Sequence, residues 1–335
     1  MKEMSGTLLT VEHLTKWFPI REGILASVRG ARQRYVKAVD DVSFEIKERE
    51  VLGLVGESGC GKTTTGRTVL RLVEPTSGKA YFKGTDVFSL NPQQMKHMRS
   101  KMQIIYQDPY EALNPRMTVL NIVAEPLRVH NLLRHQENTK EERVARALEE
   151  VNLVPPQEFM NRLPHELSGG QRQRVAVARG LMLRPELIVA DEPVSMLDVS
   201  IRAGIISLML KLGEQHGISY LFITHDLAVA KHSCDRVAVM YLGRIVETGR
   251  TDDLVREPLH PYTEALVSAV PIPDPTAKRK ELVLSSETPN PIDLPLGCRF
   301  HPRCPEAMDI CRAIEPQLAE VRQGRHVACH LYDAS

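Results

Sequence analysis

Residues 56–63 read GESGCGKT and carry the clearest chemical signal in the chain. They fit the pattern G-x-x-x-x-G-K-[ST]. Glycines let the backbone come close to a ligand, so successive N–H groups can point at phosphate oxygens, and the helix that follows adds its positive N-terminal end. We expect Lys62 to reach the β- and γ-phosphates of a nucleoside triphosphate and the Thr63 hydroxyl to bind Mg²⁺. The stretch therefore predicts a phosphate-binding loop.

A second group of chemical residues follows the apolar run LIVA at 187–190. Asp191 ends this predicted buried strand, where a carboxylate can hold the Mg²⁺ shell. Glu192 comes next and is well placed to polarise an attacking water. Asp-Glu pairs are common on surfaces, but this pair comes after a buried strand and downstream of a phosphate loop. It predicts the second half of a nucleotide site.

Residues 167–174, LSGGQRQR, contain a serine and two glycines that open a predicted helix. Such a helix start can bind an anion by the same physics as the phosphate loop. The alternative interpretation is a capped helix with a flexible beginning. Both interpretations stay open on the residues alone.

Four of the six cysteines lie near the C-terminus, at Cys298, Cys304, Cys311 and Cys329, with the spacing C-x5-C-x6-C-x17-C. Cytosolic thiols stay reduced, which disfavours disulfides. Four thiolates suit zinc or an iron–sulfur cluster equally, although the wide gaps slightly favour the bulkier cluster. Four unliganded small side chains are the other alternative, disfavoured because the segment has few other core-forming residues.

Bulk properties exclude several classes of protein. The net charge of +1 argues against a surface dedicated to nucleic acid. No apolar run reaches the roughly 18 residues of a membrane span, and the first residues lack the apolar core of a secretory signal. We therefore expect a chain that is made and kept in the cytosol.

The elements that must position these residues alternate between strands and helices. Strand patterns fall in 36–55, 187–190 and 220–224, and helical patterns lie in 171–183 and 201–217. This alternation predicts a mostly parallel sheet with crossover helices. A separate helical stretch fills about 117–163, and a proline-rich linker precedes the cysteines.

With these motifs in order, the chain resembles the ATP-binding subunit of an ATP-binding-cassette (ABC) transporter over residues 7–254. GESGCGKT resembles its Walker A, LSGGQ its signature motif and LIVADE its Walker B. The Q-loop is matched by Gln107 in IIYQDP, the D-loop by SMLD at 195–198, and the switch histidine by His225 in FITHD. The resemblance implies an α/β P-loop NTPase cassette: a mostly parallel sheet core, an antiparallel β subdomain, a helical subdomain and a small C-terminal cysteine-rich extension.

The resemblance also implies domain bounds and site residues. It places the nucleotide-binding domain at 1–256, with the helical subdomain at about 108–165. The extension covers 257–335, with its linker at about 271–296 and a metal-cluster segment at 298–329. The implied catalytic residues are Glu192, His225 and Gln107, and Mg²⁺ is held through Thr63, Gln107 and Asp191. The residues implied to bind ATP are Phe18, Gly56, Glu57, Ser58, Gly59, Cys60, Gly61, Lys62, Thr63 and Thr64.

In relatives, ATP is bound by the phosphate loop of one subunit and the signature motif of another, arranged head to tail. This assigns Ser168, Gly169, Gly170 and Gln171 to the partner's ATP, with Asp198 in the D-loop. An aromatic side chain stacks on adenine, for which register favours Phe18, with Trp17 close behind. The basic stretch at 21–37 is interpreted as a solvated loop, with lipid or membrane-subunit contact as the alternative.

Several long segments, among them QDPYEALNPRMTV and HPYTEALVSAVPIPDP, are similar to the oligopeptide and dipeptide importer subfamily. The subfamily implies an ATPase that powers peptide import, with import of oligosaccharides or nickel as the alternative. Its partners are a second, related ATPase subunit, two transmembrane permease subunits and, indirectly, an extracytoplasmic solute-binding protein, with no nucleic acid. It implies a peripheral location on the cytoplasmic face of the membrane. It also implies ATP, Mg²⁺ and a [4Fe–4S] cluster on Cys298, Cys304, Cys311 and Cys329, with Zn²⁺ as the alternative.

Two other classes of cassette ATPase compete with a transport ATPase. The DNA-repair and chromosome-structure class inserts coiled coils or zinc modules between Walker A and Walker B, whereas here the two motifs are about 130 residues apart. The translation-associated class carries two cassettes in one chain, and here one is found. The sequence favours the transport ATPase.

Overall fold

The structure is a computed structural model that describes residues 6–20, 33–133, 139–270 and 289–333. The chain divides into two compact units. Unit 1 contains residues 1–8, 46–51 and 89–223, and unit 2 contains 9–45, 52–88 and 224–335. Most of the predicted basic loop at 21–37 and of the predicted linker at 271–296 lies outside the described residues.

The elements are numbered here in chain order. The strands are β1 (Thr7–Pro19), β2 (Tyr35–Lys47), β3 (Val51–Val55), β4 (Ser77–Phe82), β5 (Thr85–Asp86), β6 (Met102–Ile105), β7 (Leu187–Asp191), β8 (Ser219–Thr224), β9 (Arg236–Tyr241), β10 (Arg244–Arg250), β11 (Ala319–Arg322) and β12 (Arg325–Val327). The α-helices are α1 (Lys62–Val69), α2 (Pro92–Lys101), α3 (Pro109–Ala112), α4 (Val119–Val129), α5 (Lys140–Glu150), α6 (Pro156–Met160), α7 (Gly169–Leu181), α8 (Val199–His216), α9 (Leu227–Ser233), α10 (Thr251–Arg256) and α11 (Pro261–Ser268). Short 3₁₀ turns lie at Val87–Ser89, Pro164–Glu166, Asp309–Arg312 and His330–Tyr332.

Parallel strands and the helices around them form unit 1. β6 pairs in parallel with β7, and β7 pairs in parallel with β8. Every residue of β7 is buried, as expected for a central parallel strand with both faces covered. The predictions of strands at 187–190 and 220–224 are confirmed by β7 and β8.

The helical stretch predicted at 117–163 is confirmed by α4, α5 and α6. On α4, the buried side chains of Val119, Ile122, Val123 and Leu127 follow the spacing of a helix with one apolar face. α5 begins with a capping box, in which the Thr139 hydroxyl accepts the Glu142 N–H and the Glu142 carboxylate accepts the Thr139 N–H. The bounds of the helical subdomain, at about 108–165, stay a prediction.

Unit 2 contains a four-stranded sheet with the order β2-β1-β4-β5, in which β4 runs antiparallel to β1 and β5. An antiparallel β subdomain was predicted, and it is present. In a second set of strands β3 pairs in parallel with β9, but β9, β10, β12 and β11 pair antiparallel. The predicted parallel pairing is therefore found between β3 and β9, as it is in unit 1, and antiparallel pairing begins at β10, where β9 and β10 form a hairpin and β12 pairs with β10 from much later in the chain.

The C-terminal residues 289–333 are part of unit 2. Their β12 pairs with β10 through Glu247↔Val327 and Thr248↔His326. The Phe300 ring is only 1% exposed, and its centroid lies 5.3 Å from that of Tyr241 and 5.5 Å from those of Tyr262 and His260. The extension therefore has an aromatic core shared with the rest of unit 2, and a separate cysteine-rich module is not confirmed. None of the described helices combines the length and apolarity that crossing a membrane requires.

Candidate nucleotide-binding site

The phosphate loop lies in unit 2 between β3 and α1, as its motif predicts. Gly61 has a φ of 110°, and a Cβ built there would lie 2.0 Å from the carbonyl oxygen of Ala38. A Cβ at Gly56 would lie 2.2 Å from the carbonyl oxygen of Met240. Gly61 is also the N-cap of α1, and no side chain caps this helix start. The loop therefore requires glycine at both positions and presents the N-terminal end of a helix to a ligand.

Lys62 carries the positive charge of the loop. Its side chain is buried, and Nζ donates to the carbonyl oxygens of Gly56 at 2.7 Å and Glu57 at 2.9 Å. These two bonds hold the ammonium group over the loop. Such a cation suits the β- and γ-phosphates of a nucleotide.

The remaining predicted loop residues have different surroundings. Ser58 and Gly59 are exposed at the tip of the loop, while Thr63 and Thr64 in the first turn of α1 are half-buried. Cys60 is 3% exposed, and burial raises the pKa of its thiol above the ordinary value. Cys60 therefore acts as a small neutral residue under the loop.

The two aromatic residues near the end of β1 differ in how they are held. The Trp17 indole N–H donates to Asp40 Oδ1 at 2.9 Å, and Lys37 Nζ lies 4.6 Å from the centroid of its ring. Phe18 is 37% exposed, with Lys16 Nζ 4.9 Å from its ring centroid. Phe18 thus has the freer ring face, but its role in stacking on adenine stays a prediction.

The carboxylates of Walker B lie at the end of β7 in unit 1. Asp191 is 1% exposed and pairs with Ile223 of β8. Glu192 has a φ of 45°, and its N–H donates to the carbonyl oxygen of Ile223 at 3.0 Å. Gln107 Nε2 donates to Glu192 Oε2 at 3.3 Å. The structure thus brings together Gln107 and Glu192, two predicted catalytic residues that are 85 positions apart in the chain.

The signature motif forms the capped start of α7. A capped helix was one of the two interpretations left open for these residues, the other being an anion site. The Ser168 hydroxyl accepts the Gln171 N–H at 3.3 Å, and Gln171 Oε1 accepts the Ser168 N–H at 2.9 Å. A Cβ on Gly170 would lie 2.9 Å from Ile201 of α8, so this glycine allows α7 and α8 to approach closely. A cap and an anion site are compatible, because the helix end keeps its positive dipole.

Asp198 of the D-loop is the exposed N-cap of α8. Arg202, one turn into α8, donates from Nε to the Leu197 carbonyl oxygen at 2.8 Å and from Nη2 to that of Ser195 at 3.3 Å. Arg202 therefore fixes the backbone of the D-loop. Arg202 has no motif of its own in the sequence, because its partners are backbone carbonyl groups.

His225 lies in unit 2, in the turn between β8 and α9, and is exposed. Asp226 follows and caps α9, since its Oδ1 accepts the N–H groups of Ala228 at 2.8 Å and Val229 at 3.4 Å. Asp226, the last residue of the THD stretch, therefore has a local structural role as the cap of α9. The switch role of His225 stays a prediction.

The iron–sulfur prediction for the C-terminal cysteines is wrong, and so is its zinc alternative. Within residues 6–20, 33–133, 139–270 and 289–333, no three histidine, cysteine, aspartate or glutamate side chains are arranged to hold a metal ion. Burial raises the pKa of the Cys298 and Cys329 thiols to about 11. The premise also fails, because Phe300 and its aromatic neighbours supply the core that the segment seemed to lack.

The C-terminal extension contributes contacts that the sequence analysis missed. Arg303 donates from Nη1 and Nη2 to both carboxylate oxygens of Glu57, at 2.9 and 3.1 Å. The Tyr262 hydroxyl accepts the Glu57 N–H at 2.8 Å. Arg299 forms a buried ion pair with Asp40, the residue that also holds Trp17. No local pattern could have revealed these contacts, because the paired residues are more than 200 positions apart.

The residues present fit a nucleotide and its metal ion. Gly56 and Gly61 let the loop backbone pack against neighbouring carbonyl groups, and Lys62 supplies a buried cation. Hydroxyl, amide and carboxylate oxygens are the ligands that Mg²⁺ prefers, and Thr63, Gln107 and Asp191 supply one of each.

Comparison with known proteins supports this reading of the motifs. Residues 39–195 match the profile of the family described as "ABC transporter", and residues 246–311 match that of "Oligopeptide/dipeptide transporter, C-terminal region". The chain is 48% identical over 329 residues to the oligopeptide transport ATP-binding protein AppF of Bacillus subtilis (strain 168), covering 97% of this chain and 98% of AppF.

Solved structures show the same similarity. The ATP-binding cassette MJ0796, in a dimeric post-hydrolysis state bound to ADP and Pi, is similar with a TM-score of 0.62 and 29% identity over 72% of this chain and 98% of that one. The cbiO1 protein of Clostridium perfringens, part of the ABC transporter complex cbiONQ, gives a TM-score of 0.61 and 25% identity over 75% of this chain and 91% of that one. The chain therefore belongs to the ABC transporter family, in the branch that carries the oligopeptide/dipeptide transporter C-terminal region.

Proposed function

We propose that this chain is the ATP-hydrolysing subunit of an ABC importer, and that the imported solutes are dipeptides and oligopeptides. The observation that carries the ATPase is the phosphate loop, in which Lys62 Nζ is held by the carbonyl oxygens of Gly56 and Glu57 and a Cβ at Gly56 or Gly61 would collide with the backbone. The peptide substrate is proposed because residues 246–311 match the oligopeptide/dipeptide transporter C-terminal region and because AppF is named as an oligopeptide transport protein.

In the proposed reaction, Lys62 and the loop N–H groups bind the phosphates, and Phe18 stacks on adenine. Mg²⁺ would neutralise charge between the β- and γ-phosphates, held by Thr63, Gln107 and Asp191. Glu192 polarises the attacking water, Gln107 orients Glu192 through their hydrogen bond, and His225 senses the γ-phosphate.

The proposed assembly places a second ATPase subunit head to tail against this one. Ser168, Gly169, Gly170 and Gln171 would then contact the ATP of the partner subunit, with Asp198 at the interface. ATP would close the pair and hydrolysis would let it reopen, which moves two transmembrane permease subunits. The chain would lie peripherally on the cytoplasmic face of the membrane, and an external binding protein would deliver the solute.

A deletion strain of the source organism tests this function. Its uptake of a labelled tripeptide should fall to background and return with a plasmid copy of the chain, but not with a Lys62→Ala copy. Labelled nickel and a labelled oligosaccharide are measured in the same strains. If the deletion strain takes up the tripeptide normally but no longer takes up nickel, the chain serves a nickel importer. If it no longer takes up the oligosaccharide instead, the chain serves an oligosaccharide importer. Unchanged uptake of all three would contradict the importer role.

A further inference from the structure

The C-terminal extension reaches the phosphate loop through one arginine. Arg303 makes a two-pronged ion pair with Glu57, the residue after the first glycine of the loop, through bonds of 2.9 and 3.1 Å. The Arg303 side chain is 7% exposed and that of Glu57 28%. Paired geometry of this kind is strong and directional, because two parallel N–H groups match the two carboxylate oxygens.

Glu57 is held at its backbone as well as at its carboxylate. Its N–H donates to the Tyr262 hydroxyl at 2.8 Å. Its carbonyl oxygen accepts Lys62 Nζ at 2.9 Å. A continuous set of contacts therefore runs from the extension, through Glu57, to the cation that faces the phosphates.

The negative charge of Glu57 would oppose the binding of an anionic ligand to the loop. A carboxylate in a phosphate-binding loop repels phosphate unless a cation neutralises it, and the effect is large where water is partly excluded. Burial opposes the charge on Arg303, but bonds to Glu57 and Tyr241 outweigh it and raise the pKa of Arg303. The arginine is therefore charged at neutral pH.

We propose that Arg303 and Tyr262 are positioning residues of the nucleotide site, which neutralise and fix Glu57 so that the loop and Lys62 are set for phosphate. The C-terminal extension then acts in ATP binding itself. The inference rests on the proposed function, since it concerns the affinity of that site.

The test measures the Kd of the full-length chain for radiolabelled Mg-ATP by equilibrium dialysis. Arg303→Gln should raise this Kd about tenfold, because it removes a cation that neutralises the Glu57 carboxylate. Tyr262→Phe keeps the ring and removes only the hydroxyl, and should raise it about threefold. In turnover assays Arg303→Gln should raise KM for ATP and leave kcat within about twofold.

A second substitution separates electrostatics from general structural damage. The double variant Glu57→Gln/Arg303→Gln removes both charges and should recover at least half of the lost binding energy. Arg303→Lys keeps a charge but not the paired geometry, and should lie between the wild type and Arg303→Gln. It also serves as the assay variant if Arg303→Gln does not fold.

The matched control is Arg322→Gln. Arg322 lies in the same extension and pairs with Glu257 at 2.7 Å, but both side chains are more than half exposed. This variant should bind ATP like the wild type. A Kd for Arg303→Gln within twofold of the wild type would overturn the inference, and so would a loss equal in the single and double variants.

The wild type and Lys62→Ala separate this inference from the proposed function. If the wild type binds ATP and Lys62→Ala does not, the proposed site stands, and the Arg303 variants decide the inference alone. If the wild type does not bind Mg-ATP, the proposed function and the inference both fail.

Discussion

Gln107 donates a hydrogen bond from Nε2 to Oε2 of Glu192 over 3.3 Å, and Glu192 stands in a left-handed conformation with φ of 45°. A glutamate in this conformation costs about 1–3 kcal/mol, so the surrounding structure must hold it there. Its N–H bond to the Ile223 carbonyl oxygen and the amide of Gln107 do so. The two side chains are therefore coupled through a direct contact within unit 1.

Replacement of Glu192 by glutamine tests its role as the base. Glu192→Gln should leave ATP binding intact and slow hydrolysis at least about 100-fold, the usual loss when a positioned base is removed. ATP binding is measured by equilibrium dialysis and turnover by phosphate release. Glu214→Gln, an exposed position on α8, is the control and should hydrolyse ATP normally. Near-normal turnover in Glu192→Gln would remove it from the mechanism.

Substitutions at Ser168 test the contact with the partner's ATP. Asp also caps helices, so Ser168→Asp should preserve the start of α7 while placing negative charge where a phosphate would bind. It should spare ATP binding by the isolated chain and abolish ATP-driven pairing in sedimentation experiments. Ser168→Ala loses the cap, at about 1 kcal/mol, but adds no charge and should pair far better. Equal pairing of Ser168→Asp and the wild type would contradict the head-to-tail arrangement.

Two glycines in the phosphate loop give a matched pair for stability. A Cβ at Gly61 would meet the Ala38 carbonyl oxygen at 2.0 Å, whereas at Gly59 nothing lies within 4 Å. Both have positive φ, so Gly59→Ala should cost about 1 kcal/mol and Gly61→Ala more than about 3 kcal/mol. Urea unfolding measures the difference. Equal stabilities would show that the loop does not need the close approach at Gly61.

Stability should depend on pH through His260. Complete burial lowers the pKa of His260 to about 3 from an ordinary 6.5. Between these values the unfolded chain binds more protons than the folded one, so the free energy of unfolding falls as pH falls from 6.5. From pH 7 to pH 5 the wild type should lose about 2 kcal/mol through this residue.

His260→Asn isolates this effect. The His260 Nδ1 accepts the Tyr262 N–H at 3.0 Å as the cap of α11, and asparagine can accept the same bond without titrating. The variant should therefore lose about 2 kcal/mol less than the wild type between pH 7 and pH 5, in urea unfolding at both pH values. An identical pH dependence in both proteins would rule out His260 as the source.

The parts of the site that the sequence predicted are those with local signals. GESGCGKT between a buried strand and a helix identified the phosphate loop, and LIVADE identified β7 with Asp191 at its end. Ser168 and the two glycines after it indicated the start of α7, with a cap as one of two open interpretations, and the structure shows the cap. In each case the residues that define the feature lie within one loop or one turn of helix, where spacing carries the information.

The parts that the sequence could not predict depend on long-range packing. Arg303 meets Glu57 across 246 positions, and no periodicity records such a contact. The cysteine segment was misread for the same reason: its own residues look too polar to form a core, but Phe300 packs on Tyr241 and Tyr262 from earlier in the chain. A segment can form its core by packing against residues from distant parts of the chain. Its own composition therefore did not imply a metal site.

The most direct test of the account is ATP-driven peptide uptake by the purified importer, assembled from this chain and its partner subunits in lipid vesicles. With the wild-type chain, the ATPase subunits and ATP inside the vesicles and the solute-binding protein outside, a labelled tripeptide should accumulate inside and phosphate should be released. With Glu192→Gln, both should stop although ATP still binds. Accumulation that continues at the wild-type rate with Glu192→Gln, or ATP hydrolysis without any peptide uptake by the wild type, would contradict the account.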